Sequence, residues 1–287
     1  MTSCFFASDL HGSIPRYEKL WRAIEVDRPA AVFLGGDLLP SGLTGLASSA
    51  PAHLDFVNDV MRAGFDRVRD RLGRRYPKVF LVLGNDDGRF EEAAILDAAA
   101  SEVWVYAHNR SLSWSGYRIF GYNFVPPTPF RWKDWERYDV SRHVPPGCIS
   151  PEDGRHSLPT APDEIKYRTI GTDLESLVAD FDLTNALMLF HTPPHETKLD
   201  RAANDGKMVD WVPLDLHVGS IAVRRLIESR QPLVTLHGHI HESARLTGSW
   251  RDRIGRTHLF GGAHDGDELA LVRFDAEQPS NAIRQLL

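Results

Sequence analysis

The sequence predicts an α/β protein in which two β-sheets are covered by helices. Short apolar runs rich in β-branched and aromatic residues alternate with longer segments whose apolar residues recur every three or four positions. At some positions two strand-like runs follow one another directly, which adds antiparallel pairs to this alternation. No internal repeat, low-complexity tract or linker divides the 287 residues, so we expect a single domain over residues 1–287.

The first 100 residues alternate between strands and helices. The predicted strands are Cys4 to Ser8, Ala30 to Leu34 and Lys78 to Leu83. The predicted helices are Pro15 to Arg28, His53 to Arg75 and Glu91 to Ala100. Pro15 stands at a plausible first helical position, and the apolar residues of the second helix recur at three- and four-residue spacing. This alternation is the main reason for the α/β prediction.

The pattern changes after residue 100. The runs Val103 to Tyr106, Ser111 to Trp114 and Tyr117 to Tyr122 are predicted as successive antiparallel strands, the last two joined by a turn at Ser115-Gly116. Residues 123–161 then lack periodicity and are rich in proline, tryptophan and charge. An irregular stretch of this length is usually functional or mobile rather than core, so we predict an insertion at about 123–161 that forms a lid or rim.

Regular structure is predicted again beyond residue 170. Helices are expected near Gly171 to Phe181 and at Gly219 to Arg230. The remaining predicted strands are Ala186 to Phe190, Leu233 to Leu236, His258 to Phe260 and Leu269 to Phe274. Strands and helices therefore continue to alternate toward the end of the chain.

The composition argues against several classes of protein. Hydrophobic residues make up 42% and charged residues 25% of the chain, as in a globular protein with a sizeable core. The net charge of −6 provides no general attraction to polyanions, so neither bulk nucleic-acid binding nor binding to a membrane surface is expected. Only Cys4 and Cys148 are present, so no disulfide framework or cysteine-rich zinc site is predicted.

Neither a secretion signal nor a membrane span is predicted. The N-terminus lacks a positively charged region, and its apolar run around Phe5 and Phe6 is too short for a signal peptide. No stretch reaches the about 18 apolar residues that a transmembrane helix needs. We therefore expect a cytoplasmic protein.

Side chains that can bind metals stand directly after five of the predicted strands. In chain order they are Asp9 and His11, then Asp37, then Asn85, Asp86 and Asp87, then His191, and finally His237, His239 and His241. Ligands bind at the C-terminal ends of strands in α/β sheets, and the neighbouring glycines let the backbone approach a ligand closely. Crowded Asp and His side chains need a partner that neutralises them and accepts their lone pairs, and divalent metals are such partners.

The donors suit two metal ions rather than one. Asp9, Asp37 and Asn85 offer oxygen, the histidines offer nitrogen, and no cysteine takes part, which argues against a closed structural zinc site. The ligands are too many for one ion but suit two ions that share a bridging carboxylate. Two metals roughly 3.5–4 Å apart lower the pKa of a bridging water and clamp the attacking and leaving oxygens of a phosphoryl transfer. Such a pair of ions could therefore activate a bridging hydroxide for attack on a phosphate ester.

In these motifs the sequence resembles the calcineurin-like metallophosphoesterase superfamily. The matching segments, which occur in the superfamily's order and span nearly the whole chain, are Asp9-Leu10-His11, Gly36-Asp37, Gly84-Asn85, His191 and Gly238-His239-Ile240-His241. The resemblance implies a four-layer α/β/β/α sandwich of two mixed β-sheets flanked by helices. It also implies that one metal is bound by Asp9, His11, Asp37 and His241 and the other by Asp37, Asn85, His191 and His239. Nitrogen and oxygen ligands suit Mn, Fe, Zn or Ni, of which we favour Mn.

The chain departs from the superfamily pattern after Asn85. That pattern usually continues Gly-Asn-His, and the histidine is thought to assist the leaving group or the phosphoryl oxygens, whereas this chain has Asp86. An aspartate with an ordinary pKa of about 4 is ionised at pH 7 and would repel a phosphate. Three alternatives stay open: Asp86 has a strongly raised pKa, another group supplies the proton, or the substrates do not need that acid. Superfamily members without the histidine are often diesterases, which favours phosphodiesters or nucleotide-like esters.

Further residues near these motifs are candidates for catalysis or substrate binding. His195 could replace the missing acid, although exposed loop histidines are common. His217, Gly219 and Ser220 precede a predicted helix whose free N–H groups could hold an anionic substrate, or could simply be capped. The segment that begins at His191-Thr192-Pro193-Pro194 resembles a bacterial and archaeal subgroup of the superfamily.

Structural roles are predicted for other polar residues. Asp87 is expected to cap the following helix, and His237 to lie in the core or to orient a metal ligand. A basic and aromatic cluster in the insertion consists of Arg131, Trp132, Lys133, Trp135 and Arg137. The cluster could stack a nucleobase and pair with a phosphate, but we favour a small satellite core.

The sequence thus predicts a two-metal hydrolase that acts on a small phosphate ester. One alternative is a catalytically inactive metal-binding scaffold, which would be expected to lack ligands, yet none is missing. Another is a nuclease, against which the net charge and the absence of a long basic stripe count.

Overall fold

The computed structural model, which describes residues 2–41 and 55–287, contains two six-stranded mixed sheets flanked by helices. The strands are β1 (Ser3–Ala7), β2 (Ala31–Gly35), β3 (Lys78–Val82), β4 (Val105–Tyr106), β5 (Arg110–Trp114), β6 (Tyr117–Tyr122), β7 (Ala186–Phe190), β8 (Met208–Val209), β9 (Val212–Pro213), β10 (Val234–His237), β11 (Arg251–Ile254), β12 (Thr257–Gly261), β13 (Ala270–Asp275) and β14 (Gln278–Leu286). The helices are α1 (Ile14–Asp27), α2 (Ala63–Leu72), α3 (Glu92–Ala100), α4 (Pro162–Tyr167), α5 (Ile170–Val178), α6 (Ile221–Arg230) and α7 (Ser243–Thr247). The predicted fold class is therefore confirmed.

Each large sheet has a parallel centre. The first has the strand order β14-β13-β1-β2-β3-β4 and the second β11-β12-β10-β7-β6-β5. Strands β1 to β4 run parallel in the first sheet, as do β6, β7, β10 and β12 in the second. Antiparallel pairing adds β13 and β14 to one side of the first sheet, and β11 and β5 to the two edges of the second. The C-terminal ends of the central strands in each sheet therefore lie along one edge, where ligands bind in such sheets.

Alternating side chains divide the apolar residues of the first sheet into two layers. Phe6, Phe33 and Phe80 belong to a core cluster shared with residues of the second sheet such as Leu187 and Leu236. The rings of Phe33 and Phe80 stack with their centroids 5.3 Å apart. The alternate residues of the same strands, such as Phe5, Val32 and Leu81, belong to a second core cluster, in which they pack with residues of the helices. Because both faces are covered, the strands read as continuous apolar runs, which made them recognisable in the sequence.

Helix α1 packs one face onto the first sheet. Pro15 stands in its first turn, and the chain leaves the helix at Arg28 in the left-handed conformation, with a φ of 50°. Tyr17 and Trp21 are buried on its inner side. Gly64 in α2 meets Trp21 so closely that a Cβ at this position would overlap the indole ring. The glycine thus permits close contact between α1 and α2.

Helix α2 is preceded by a π-helical stretch, Phe56–Arg62, and followed by a short 3-10 turn, Gly73–Arg75. This run agrees with the helix predicted from His53 to Arg75, of which residues 53 and 54 lie outside the described residues. No helix in the described part of the chain is long and apolar enough to cross a membrane.

One predicted strand belongs to a different sheet from the one expected. The run that begins at Val103 was predicted to pair antiparallel with Ser111 to Trp114, but β4 pairs parallel with β3 in the first sheet. Strands β5 and β6 form the expected hairpin in the second sheet, with a left-handed turn at Ser115 and Gly116. A run of strand-like residues does not reveal which sheet it joins, since long-range pairing decides this.

The sequence also failed to predict α4, α7, the β8–β9 hairpin and the strands β11 and β14. Strands β11 and β14 lie at sheet edges, where exposed and buried positions are mixed. Their sequences carry charged and polar residues and lack the apolar runs that mark central strands.

Residues 123–161, all of which the structure describes, contain only isolated strand bridges, as their lack of periodicity predicted. The segment is nevertheless firmly packed. The side chains of Lys133 and Glu136 are fully buried and form an ion pair, and Arg137 pairs with Asp173. Trp135 lies edge-on to Phe124 with ring centroids 5.4 Å apart. These contacts confirm the favoured satellite core for Lys133, Trp135 and Arg137, whereas Arg131 is exposed and Trp132 is only partly buried.

We expect loss of one partner of the Lys133–Glu136 pair to cost more stability than replacement of both. Lys133→Ala leaves Glu136 buried without its cation and should lower the free energy of unfolding by roughly 3–5 kcal/mol. The double variant Lys133→Met/Glu136→Gln keeps an acceptor for Thr128 and should recover at least half of that loss. Urea unfolding measures both, and a double variant no more stable than Lys133→Ala would contradict the expectation.

Candidate metal centre

The predicted ligands from both sheets meet at the C-terminal ends of their strands. Donor atoms lie within 4.8 Å of one another in two groups: Asp9, His11, Asp37 and His241, and Asp37, His191 and His239. Asp37 belongs to both groups, which is the position expected of a bridging carboxylate. The remaining predicted ligand, Asn85, places its Oδ1 3.2 Å from His191 Nε2. The structure thus brings all seven predicted ligands together.

In the first group, side chains from the loops after β1, β2 and β10 converge. The Nε2 atoms of His11 and His241 are 3.1 Å apart. His241 Nε2 is 3.2 Å from Asp9 Oδ1, and His11 Nε2 is 3.9 Å from Asp37 Oδ2. Two imidazole nitrogens and two carboxylates that point at one another can therefore share a single cation.

In the second group, His191 is the best-oriented donor. Its Nδ1 lies 2.8 Å from the Gly35 carbonyl oxygen, so an Nδ1–H donates there and leaves the Nε2 lone pair pointing into the site. Nε2 lies 3.3 Å from Asp37 Oδ2. The His239 ring is 5.1 Å from the His191 ring, centroid to centroid. The backbone thus determines which nitrogen of His191 is free to bind a metal.

One atom in the site lacks a partner. Asp9 Oδ2 is buried and has no hydrogen-bond donor among the described residues, whereas Oδ1 accepts a hydrogen bond from the His239 N–H at 3.0 Å. A buried carboxylate oxygen without a partner is costly, and a bound cation removes that cost. The oxygen and nitrogen donors, the shared carboxylate and this oxygen together fit a pair of divalent metals.

Four of the candidate ligands have a left-handed backbone conformation. Asp9, His11, Asp37 and His239 have φ values of 57°, 46°, 50° and 76°, in the left-handed region that non-glycine residues rarely adopt. Such conformations cost of order 1–3 kcal/mol each and occur mainly at functional sites. Gly84 is required for a different reason, because a Cβ at this position would overlap Asp37 Oδ1. The glycine therefore makes room for the bridging carboxylate.

The clustered charges shift one another's pKa values. Burial lowers the pKa of His11 and His191, but neighbouring carboxylates outweigh it and raise each to about 9. At His239 burial dominates and the charge on His191 adds to it, so the pKa falls to about 3. Burial opposes ionisation of Asp37, but the nearby histidines hold its pKa well below the usual range. Carboxylates that retain protons on nearby histidines in this way also attract metal cations, whose binding must displace those protons.

Asp87 supports the site from behind and does not cap the following helix as the sequence predicted. It is fully buried, and its carboxylate accepts hydrogen bonds from the N–H groups of Leu38, Leu39 and Gly84 at 2.7–2.9 Å. Burial, together with the charge on Asp37, raises the pKa of Asp87 to about 7. These bonds join the loop after β3 to the loop after β2. The sequence could not predict these hydrogen bonds, because they depend on how two loops distant in sequence pack together.

Asp86 lies beside His11. Its Oδ2 is 3.3 Å from His11 Nδ1, and its Oδ1 accepts a hydrogen bond of 2.7 Å from the Ser41 hydroxyl. The backbone N–H of Asp86 donates to Asp37 Oδ1 at 2.8 Å. Both the side chain and the backbone of Asp86 therefore contact predicted metal ligands.

The residues predicted at the start of α6 have other partners. Ser220 donates its hydroxyl hydrogen to Asp139 Oδ1 at 2.5 Å, and the same carboxylate accepts hydrogen bonds from two N–H groups in the first turn of the helix. Asp200 accepts from the Gly219 N–H at 3.2 Å and lies 2.8 Å from His217 Nδ1. Two carboxylates thus already stand where a substrate anion was expected.

His195 and His237 lie outside the metal cluster. His195 Nε2 is 3.6 Å from Asp215 Oδ2. His237 is fully buried, with Nδ1 2.9 Å from the Thr192 carbonyl oxygen and Nε2 2.7 Å from Thr235 Oγ1. Burial lowers the pKa of His237 to about 3, so it is a neutral core histidine, one of the two roles predicted for it.

A cavity of about 720 Å³ opens beside the metal cluster. The cluster side is formed by His11, Asp37, Asn85, Asp86, His239 and His241. The irregular segment contributes residues 126–130, Trp132 and residues 145–148 to the lining and therefore forms part of the predicted rim. Val209 and Leu214, in and beside the β8–β9 hairpin, also contribute. The sequence missed the hairpin because its strands are only two residues long.

Comparison with known proteins identifies related sequences and folds. The family model of the calcineurin-like phosphoesterases matches residues 4–243. Among solved structures, the protein TT1561 of Thermus thermophilus has a TM-score of 0.55 and 16% identity, covering 99% of this chain and 98% of its own. A dimetal phosphatase from Danio rerio has a TM-score of 0.51 and 13% identity, and the match covers 94% of this chain and 91% of the phosphatase. No curated protein matches the chain. At these identities the structural likeness concerns the fold alone.

We expect the purified protein to bind two divalent metal ions per chain. Asp37→Ala should reduce the bound metal to one equivalent or less, because both donor groups lose a shared carboxylate. His195→Ala is a suitable control, since His195 lies outside both groups. Equilibrium dialysis against Mn followed by elemental analysis measures the stoichiometry. Two equivalents retained by Asp37→Ala would contradict the bridging role.

Proposed function

Because the chain belongs to the calcineurin-like phosphoesterase family, we propose that it hydrolyses phosphate esters with two divalent metal ions, for which Mn is favoured. One ion would be held by Asp9, His11, Asp37 and His241, and the other by Asp37, Asn85, His191 and His239. The observation that carries this proposal is the convergence of these donors around Asp37, next to an Asp9 oxygen without a partner.

The bound metals would supply positive charge to the phosphoryl oxygens and lower the pKa of a water molecule. The protein's own contribution is orientation. The Gly35 carbonyl holds the His191 ring through Nδ1, and the backbone N–H groups of Asp86 and His239 hold the carboxylates of Asp37 and Asp9. Donors held in this way need little rearrangement when the substrate arrives.

We assign Asp86 an orienting role and no role as a proton donor. Its carboxylate faces His11 Nδ1, so it would accept a hydrogen bond from that nitrogen and direct Nε2 toward the metal. Carboxylate–histidine–metal arrangements of this kind raise the basicity of the ligand. A carboxylate beside the cluster also repels a dianionic phosphate monoester more than a monoanionic diester. Phosphodiesters are therefore the favoured substrates.

The predicted catalytic residue His195 would act at a distance from the reacting atoms. It is not among the described residues that line the cavity, but its partner Asp215 is. In the proposed function His195 positions the Asp215 carboxylate at the rim. No observation favours an inactive scaffold, since every donor position carries a metal-binding side chain.

Metal-dependent hydrolysis of simple esters tests the proposed activity. With Mn restored to the metal-free protein, we expect turnover of bis-p-nitrophenyl phosphate to exceed that of p-nitrophenyl phosphate, because the diester carries less charge. Release of p-nitrophenolate is followed by absorbance, with Asp37→Ala as the inactive control. Absence of turnover with Mn, Fe, Zn and Ni would refute the proposed activity, and a preference for the monoester would refute only the preference for diesters.

The role of Asp86 can be separated from acid catalysis. If Asp86 orients His11, Asp86→Ala should weaken Mn affinity by about 10–100-fold, and added Mn should restore much of the activity. The loss should be similar for diesters with p-nitrophenol and with alkyl leaving groups. An acid would instead matter mainly for alkyl leaving groups and would leave Mn affinity unchanged. Asp215→Ala, at the rim, is the matched carboxylate control.

A further inference from the structure

We propose that the cavity selects phosphate esters whose larger substituent is apolar and carries no further negative charge. This inference rests on the proposed phosphoesterase function and concerns the part of the substrate that does not react. It narrows the predicted range of substrates, because it disfavours nucleotide-like esters that carry a second phosphate.

The part of the cavity lining that lies outside the metal cluster, called the apolar wall, is mainly apolar. Its apolar members include Pro126, Pro127, Pro129, Phe130, Trp132, Pro145, Pro146, Val209, Leu214 and Val218. The cavity volume of about 720 Å³ is within the range of small-molecule sites. Proline and aromatic side chains that already line a cavity lose little conformational freedom when a ligand packs on them. An apolar substituent therefore has a large, prepared surface to contact.

This wall is held in place by the buried ion pair of the irregular segment. Lys133 Nζ donates to the Thr128 carbonyl oxygen at 2.9 Å, and Glu136 accepts from the Thr128 N–H at 2.7 Å. Thr128 lies between the lining residues Pro127 and Pro129. The proline-rich part of the wall around Thr128 is therefore fixed by hydrogen bonds within the segment.

The cavity lacks the cationic side chains that recognise additional phosphates. None of the described residues that line it is lysine or arginine. The segment 42–54 contains neither residue type in its sequence. Among the cations next to lining residues in sequence, Arg201 donates to Asp205 and Lys133 is buried against Glu136. Arg131 is exposed between Phe130 and Trp132 but does not line the cavity. Sites for polyphosphates normally use arginine or lysine, so this cavity is poorly suited to them.

Carboxylates at the edge of the cavity make a second anionic group still less favourable. Asp86, Asp215 and Glu242 all line the cavity in addition to the predicted ligand Asp37. Asp215 has His195 beside it, and Glu242 accepts a hydrogen bond from the Ala203 N–H at 2.9 Å. The metals would compensate the charge of one phosphoryl group, whereas a second anion away from the metals would find carboxylates but no lysine or arginine among the described lining residues.

Exposed apolar side chains continue beyond the cavity. Phe130 lines it and is 57% exposed. The turn of the β8–β9 hairpin, two residues after the lining residue Val209, carries Trp211, which is 91% exposed. Large apolar side chains that remain exposed next to a cavity often indicate a site for apolar ligands.

Three diesters that share a p-nitrophenol leaving group test the proposal on the Mn-loaded enzyme. They are phenyl p-nitrophenyl phosphate, thymidine 5′-(p-nitrophenyl phosphate) and the same thymidine ester with a 3′-phosphate. We expect kcat/KM to be highest for the phenyl ester and at least tenfold lower for the 3′-phosphorylated ester than for its unphosphorylated partner. Equal or faster hydrolysis of the 3′-phosphorylated ester would overturn the proposal and leave the phosphoesterase function intact.

A charge placed in the wall provides a matched pair of variants. Leu214→Lys puts a cation into the cavity lining and should narrow the tenfold difference between the two thymidine esters. Val212→Lys puts the same cation on the same hairpin, at a residue outside the cavity lining, and should leave the ratio unchanged. The same narrowing in both variants would show that the hairpin's charge acts at long range, and would contradict selection by the wall.

Binding provides a readout that does not depend on turnover. Isothermal titration of the Mn-loaded protein should show phenylphosphonate binding at least tenfold more tightly than 4-phosphonobenzoate, which differs by one carboxylate. If none of the diesters is hydrolysed, the proposed activity fails, yet this binding ratio still decides the charge preference of the cavity. Equal binding of the two phosphonates would overturn the preference.

Discussion

The structure around the site depends on the burial of two carboxylates, Asp9 and Asp37, at the edge where the sheets meet. Each is almost fully buried, and negative charge in that position must be balanced. The balance comes from histidines delivered by β7 and β10 and from backbone N–H groups, and it would be completed by metal cations. The two sheets therefore do not merely share an apolar core, because the second sheet supplies the groups that make the acidic residues of the first tolerable.

The supporting residues around the ligands follow from the same requirement. The N–H groups of the loops after β2 and β3 are held by Asp87, so that they keep Asp37 and Asn85 in place. Four of the candidate ligands have a left-handed backbone that is locally unfavourable, which indicates that the surrounding structure holds their donor atoms in position. Even Asp86, which departs from the superfamily motif, contacts the site through both its side chain and its backbone. An aspartate at this position therefore contacts two of the candidate ligands, His11 and Asp37.

The sequence predicted the parts of the structure that are encoded locally. Central strands are covered on both faces and read as apolar runs, and potential metal-binding residues follow them with glycines beside them. The candidate positions could therefore be located in the sequence, while their assignment to two metals came from the family resemblance. The sheet that β4 joins, the partners of Asp87 and the carboxylates at the start of α6 depend on contacts between distant segments. The cavity wall was predicted only as a rim at 123–161, because the side chains that face the metal centre are determined by how an irregular segment folds back on itself.

The order of the ligands along the chain has a consequence for biosynthesis. Asp9 and His241 come within 3.2 Å of each other although 232 positions separate them, and β1 is completed on its other side only by β13. A growing polypeptide that has just emerged from the ribosome can thus present the acidic half of the centre long before the histidines that balance it exist. Contacts so far apart in sequence form slowly, so the acidic loops wait unpaired for most of translation. All the candidate donors are present only after His241 has been synthesised, so shorter nascent chains lack the complete set.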